Sequence, residues 1–416
     1  MKFDVQPPII EATNSSNKRI VCAQWSPDSE RLAVATTDRV ISVFTINSNE
    51  STRFSVKARD ENESRNFTIT GLSWAPDCCR FAISQSDMLV AVYDIGPASS
   101  VKSNKKITIR FTHKSSILCI IWPSSSSNDF VYGLSDGSVM TGLTKLKKTE
   151  QLYKHTAPPL SLASSLTQRS VVVGHADGNI FVVNLDSRIF SNVIQTSVPP
   201  QALAWGSQIL ASGSDLQLCF VDPNGSGLNH VDYSNQSHLK SFTCAAFDPS
   251  GSIALVAGRN ALLTLNYSTT TQSWAEQSKI EFDGLYSVTS LSWSPDGSKI
   301  AVGSVTGAVF IINASKGSYR YKKLFEVVQV TGSQINIISL KSQKSLSLKS
   351  QYQIMDTHFY QDQYIVSRTT QSFLIGDILS GKTVEFPVEI ISQPKITEKF
   401  IFIDDLAVMM WNKGEL

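Results

Sequence analysis

Short runs in which apolar residues alternate with polar or small ones fill most of this chain, each closed by a Pro, Asp, Asn or Gly cluster. One such run, Val288-Thr289-Ser290-Leu291-Ser292-Trp293, leads into Ser294-Pro295-Asp296 and resumes at Lys299-Ile300-Ala301-Val302-Gly303. That pattern predicts strand, Pro-Asp turn, strand. It recurs at Trp25-Ser26-Pro27-Asp28 and Trp74-Ala75-Pro76-Asp77, and more weakly at Phe247-Asp248-Pro249-Ser250. Looser copies surround Trp122, Leu160-Ser161-Leu162-Ala163 and Ala202-Leu203-Ala204-Trp205, giving about seven units spaced by roughly 40 to 50 residues. Helical periodicity is almost absent.

Each unit carries a second small or acidic turn: Thr37-Asp38-Arg39, Ser86-Asp87-Met88, Ser135-Asp136-Gly137, Ala176-Asp177-Gly178, Ser214-Asp215-Leu216, Arg259-Asn260 and Thr306-Gly307. A third strand follows, as in Val90-Ala91-Val92-Tyr93-Asp94, ending where a WD-repeat has its name-giving dipeptide. Four short strands per unit resemble a propeller blade. A single blade is apolar on both faces, and closing about seven into a ring gives every face a neighbour. The reading is an all-β, seven-bladed WD-repeat β-propeller over residues 1–328, with the start of a second, incomplete propeller over 329–416. That remainder also reads as strands, at Ile335 to Leu340, Ser345 to Leu348, Ile354 to Tyr360, Tyr364 to Val366, Phe373 to Gly376, Phe400 to Ile403 and Leu406 to Trp411. It amounts to one or two blades that cannot close alone, which implies a longer parent chain.

Repetition assigns the blade-head Trp25, Trp74, Trp122, Trp205 and Trp293 to packing between blades. Asp38, Asp87, Asp136, Asp177 and Asp215 are expected in equivalent turns, one per blade. His113 stands where a WD-repeat places its Gly-His, so a buried His113–Asp136 hydrogen bond is expected, with His155 and Asp177 as a less regular second copy. His175, in Gly174-His175-Ala176-Asp177-Gly178, reads as a turn residue with its ring toward solvent.

The 416 residues are 42% hydrophobic and 17% charged, as in a globular chain with a large core. Lys and Arg number 37 against 35 Asp and Glu, which removes the electrostatic argument for nucleic acid as a main partner. Residues 1–13 show neither a secretory nor a transit signal, and no apolar run reaches the roughly 18 residues of a spanning helix. Six cysteines without CxxC spacing read as reduced core thiols.

No GxSxG elbow, phosphate-binding glycine loop or metal-ligand spacing is present, so no catalytic residue, metal, cofactor or small-molecule substrate is expected and the chain reads as a non-enzyme. Basic clusters at Lys105-Lys106 and Lys145-Leu146-Lys147-Lys148 read as solvated edge protection. A third cluster is interleaved with aromatics, and its Tyr319, Arg320, Tyr321, Lys322 and Lys323 are the candidate partner contacts.

Beyond blade signatures, several stretches resemble the N-terminal WD-repeat region of the intraflagellar transport protein 172 family. They are Thr37-Asp38-Arg39-Val40, Gly174-His175-Ala176-Asp177-Gly178 and Pro199-Pro200-Gln201-Ala202-Leu203-Ala204-Trp205. In the same order follow Leu348-Lys349-Ser350-Gln351-Tyr352, Leu374-Ile375-Gly376-Asp377 and Trp411-Asn412-Lys413-Gly414-Glu415-Leu416. The irregular segment after the seventh blade is the most specific part of the resemblance. What it implies is a non-catalytic scaffold of transport complex B, required for cilium assembly and transport along the axoneme. The implied places are the cilium or flagellum, basal body and cytoplasm. The implied partners are other complex B subunits, including the calponin-homology subunit, with a membrane surface as a further contact. A coatomer-like vesicle-coat propeller that reads sorting signals shares the architecture and stands as the alternative, and a propeller hydrolase as a third reading from another class.

Overall fold

The computed structural model describes the chain apart from residues 1, 13–17, 46–49, 61–66, 98–105, 127, 237–238, 260, 269–270, 282–285, 316, 323, 331–332, 343, 353, 361, 370–371, 388–398, 405–406 and 412–416. For 399–404, 407–411 and for Lys2, Ser318, Tyr319, Met355, Asp356 and Pro387 it describes backbone alone. The chain divides into two compact units, residues 3–313 and residues 314–416 joined by Met1–Lys2.

Seven four-stranded antiparallel sheets account for the first unit. Blade 1 comprises Ile20–Trp25, Arg31–Thr36, Val40–Thr45 and Glu50–Ser55 in sequence order. Blades 2 to 6 repeat that order over 69–112, 117–154, 159–195, 202–232 and 244–281. Blade 7 takes Val288–Trp293, Lys299–Ser304 and Val309–Ser315 from one end of the unit and its outer strand, Lys2–Val5, from the other. The first strands of successive blades neighbour one another in a cycle that closes between Ile20–Trp25 and Val288–Trp293. This is a β-propeller, with the N-terminal strand interlocking the last blade.

The chemistry of the repeated tetrad explains its first turn. The Ser26 and Ser294 hydroxyls each accept the main-chain N–H five residues on, from Arg31 and Lys299, at 2.9 Å. The Asp28, Asp77 and Asp296 carboxylates accept the N–H two residues on, at 3.1, 2.9 and 3.0 Å, which is an Asx turn. The chain then crosses to positive φ at Ser29, Cys78, Gly251 and Gly297 before entering the second strand. The second turn repeats the device one residue after each aspartate, at Arg39, Met88, Gly137, Gly178 and Leu216.

The cores lie between blades. One apolar cluster joins Ala33, Ile41 and Val43 of blade 1 to Leu72, Phe81 and Ile83 of blade 2, and another joins Val90 and Val92 of blade 2 to Phe130 and Tyr132 of blade 3. Polar side chains of the inner strands staple the seams. Gln24 Oε1 accepts the Trp74 N–H of the next blade at 3.1 Å, Ser73 Oγ the Trp122 N–H at 2.9 Å, and Ser292 Oγ the Trp25 N–H at 3.2 Å across the closing seam.

In the second unit two four-stranded antiparallel sheets run over 317–349 and 354–387, followed by the hairpin Lys399–Asp404 with Ala407–Trp411. Leu346, Leu348, Ile354, Ile365 and Leu374 form one core shared by the two sheets. The sequence boundary after residue 328 therefore needs correction. Gly317–Tyr321 pairs with Phe325–Gln329, which pairs in turn with Gln334–Ser339, so both belong to the second unit. The first ring does not need them, because Lys2–Val5 already fills the outer position of blade 7.

Candidate functional site

Four of the five blade-head tryptophans end the first strand of their blade, and Trp122 follows its strand directly. All five are buried. Their indole N–H groups differ: Trp74 donates to Gln24 O at 3.0 Å and Trp122 to Ser126 O at 2.9 Å. Those of Trp25 and Trp293 are buried with no partner among the described residues. Asp38, Asp87, Asp136, Asp177 and Asp215 all lie in the turn between second and third strands of blades 1 to 5.

On blades 3 and 4 the histidines depart from the sequence reading. His113 Nε2 meets the Tyr132 hydroxyl at 2.9 Å, and Asp136 instead accepts the Ser138 N–H at 3.0 Å and faces Lys154 Nζ at 3.5 Å. The regular pair is the second one, His155 Nε2 on Asp177 Oδ2 at 2.7 Å. The reason is one substitution between blades. Four residues before the turn aspartate, blade 3 has Tyr132, whose hydroxyl competes for the ring, where blade 4 has Val173. His175 is also corrected: it is fully buried at the end of Ser170–His175, not turned to solvent. Its Nδ1 meets Ala157 O and its Nε2 the Tyr153 hydroxyl, both at 2.8 Å. The Tyr132 and Tyr153 hydroxyls were missed from sequence because they sit on different strands and share no spacing.

These contacts set the electrostatics. Burial holds the His175 imidazole below its ordinary pKa, against the hydrogen bond to Ala157 O, and burial likewise lowers that of His113. Burial opposes ionisation of Asp177, but hydrogen bonds from His155 and Asn179 draw its pKa down to about 2. With both ring nitrogens of His175 engaged and His155 tied to Asp177, the His155 and His175 rings, edge to face with centroids 4.6 Å apart, form a packed polar seam. Among the described residues no three His, Cys, Asp or Glu side chains converge as a metal site would need. All six cysteines are free, and burial pushes the Cys119 thiol up to about 12.

In the aromatic-basic cluster, Tyr321 stacks on Phe359 at 4.2 Å, and Lys322 pairs with Asp362 at 2.9 Å. Arg320 is exposed. The Tyr319 side chain and Lys323 lie outside the described residues. One of the five candidates is thus spent on packing within its own unit.

Comparison with known proteins identifies the repeat and its relatives. Residues 23–125 match the profile of the anaphase-promoting complex subunit 4 WD40 domain, and residues 278–313 that of the WD domain, G-beta repeat. The solved structure of U3-55K shares the fold, with a TM-score of 0.62 and 12% identity over 73% of this chain and 98% of that one. Intraflagellar transport protein 172 of Chlamydomonas reinhardtii is 33% identical over 408 residues, 96% of this chain and 23% of that protein. The Homo sapiens homologue is 28% identical over 407 residues, again 96% of this chain and 23% of that protein. Intraflagellar transport protein osm-1 of Caenorhabditis elegans is 28% identical over the whole of this chain and 24% of its own length. The chain spans less than a quarter of these relatives. It is an all-β WD-repeat chain homologous, over nearly its whole length, to proteins of the intraflagellar transport protein 172 family.

Proposed function

We propose that this chain is a non-catalytic docking module of intraflagellar transport, corresponding to the N-terminal propeller region of its relatives. The observation that carries the reading is the extent of the likeness. It covers 96% of the chain, through the ring and on into the second unit, and the relatives are named for intraflagellar transport. A shared propeller alone would account for the ring and not for residues 314–416, which favours this reading over a vesicle-coat propeller. In it the second unit is the first two blades of a further propeller. A rigid ring presents loops and blade edges and needs no chemistry of its own.

The partners proposed are other complex B subunits, with the calponin-homology subunit the first to test and an anionic membrane as a second contact. The places of action are the cilium or flagellum, basal body and cytoplasm. The test is affinity capture with the tagged 416-residue chain from a ciliated-cell extract, with identification of the proteins retained. Enrichment of transport-complex subunits supports the reading. Coat or adaptor subunits in their place, or nothing retained by a folded bait, overturn it.

A further inference from the structure

Between the outer strands of blades 1 and 2 runs a groove of about 700 Å³, lined by Phe54, Lys57, Tyr93 and five consecutive residues, 106–110. Consecutive residues of a strand point to opposite faces, so a groove lined by all five follows the strand's edge. That strand, Lys106–Thr112, is the terminal strand of its sheet and pairs on one side only, with Leu89–Asp94. Its other edge carries backbone donors and acceptors of the kind an added strand would use.

The groove has a marked charge. Lys57, Lys106 and Arg110 are exposed, and none of them forms an ion pair among the described residues. No carboxylate lines it. Asp94, opposite Lys106 in the register, is turned to the Gly96 N–H at 2.9 Å, and Asp87 accepts the Arg59 N–H at 2.8 Å. The strand bulges between Ile107 and Ile109, so Lys106 and Arg110, about 13 Å apart along it, leave it on opposite faces and flank the free edge from both sides. In the groove Phe54 packs on Tyr93 at 5.3 Å. The recess therefore sets two aromatic rings beside three cationic side chains.

The geometry points to an acidic, extended segment of a partner protein as the occupant, docking along the free edge of Lys106–Thr112 with its carboxylates on Lys57, Lys106 and Arg110. A membrane surface would meet the cations and leave the aromatic rings and the strand edge unused. The inference deepens the docking function proposed above and rests on it for the claim that the occupant is a protein.

The probe is a fluorescein-labelled decapeptide of alternating glutamate and valine, titrated against the 416-residue chain by anisotropy, with a lysine–valine decapeptide as control. Saturable binding of the acidic peptide is expected, weakening as salt rises. The triple variant Lys57→Glu, Lys106→Glu, Arg110→Glu should lose at least about tenfold in affinity. The same number of reversals elsewhere on the ring, Lys145→Glu, Lys147→Glu and Lys240→Glu, should leave it unchanged. Amide exchange over 106–112 should slow on saturation, a readout that unspecific charge attraction would not move. Equal affinity of both triple variants, or binding without protection of that strand, overturns the proposal. So does co-sedimentation with phosphatidylserine vesicles that depends on the groove while the peptide fails to bind. Failure of the peptide while transport subunits are still captured sinks the groove alone. Groove-dependent peptide binding without any transport subunit captured sinks the docking function instead.

Discussion

Replacing blade-head tryptophans by phenylalanine separates the worth of ring burial from that of the indole N–H. Trp25, Trp74, Trp122 and Trp293 are 5%, 2%, 4% and 8% exposed, so each loses a similar volume of buried ring. Their N–H groups are not equivalent. Trp74→Phe and Trp122→Phe each lose a hydrogen bond to a main-chain carbonyl, of Gln24 and of Ser126, which costs about 1 kcal/mol beyond the lost volume. Trp25→Phe and Trp293→Phe remove a donor already buried without a partner, and recover its desolvation in part. Arg31 lies 5.2 Å above the Trp74 ring and Arg80 5.6 Å above that of Trp122, and both prefer indole to benzene, which widens the gap in the same direction. The expected difference between the two pairs is about 2 kcal/mol, or about 3 °C in melting temperature for a unit of this size. Thermal unfolding of the four variants by calorimetry reads it directly. Equal losses in all four would show that volume alone sets the cost and refute the assignment of the N–H partners.

Other predictions follow from the turns and seams. Asp177, with a pKa of about 2 against an ordinary 3.8, adds stability that is complete above the ordinary value and is lost as pH falls toward 2. Asp177→Asn should flatten that limb of an acid melting series and, because the side chain is a third exposed, cost only about 1 kcal/mol at neutral pH. The lowered pKa values of His113 and His175 have the same sign one step higher: the unfolded chain takes up protons first, so melting temperature falls as pH drops below the ordinary histidine value of 6.5. The variant with both replaced by Asn should show a shallower slope there. Gly178→Ala combines a left-handed φ of 86° with a Cβ 2.2 Å from Thr196 O, and should cost more than about 2 kcal/mol in urea denaturation. Gly381→Ala, with φ 72° and open space around it, should cost about 1 kcal/mol. Ser73→Ala strips the Trp122 N–H of its acceptor across a blade seam and should cost about 1–2 kcal/mol by the same assay.

Architecture was legible in the sequence because a propeller is built from local rules written out many times. Alternation with a period of two, Pro-Asp turns and a left-handed residue after each turn aspartate act within a few residues, and so survive in the order of amino acids. The ring and its blade-head tryptophans follow from that alone. Where the ring closes does not, because the strand that completes blade 7 lies at the far end of the unit, and nothing near Lys2–Val5 records its pairing with Val309–Ser315. The same limit moved the unit boundary from 328 to 313. Side-chain partners were decided by the tertiary structure for a related reason. His113 has both Tyr132 and Asp136 within its blade, and only the packed geometry selects the hydroxyl. His175 looks like a turn residue in a string of letters, yet Tyr153 of the neighbouring blade and Ala157 of the connection between the blades meet its two nitrogens, and it is buried. The groove along Lys106–Thr112 belongs to the same class: residues from two blades, distant in sequence, make one cationic recess only once the faces have packed.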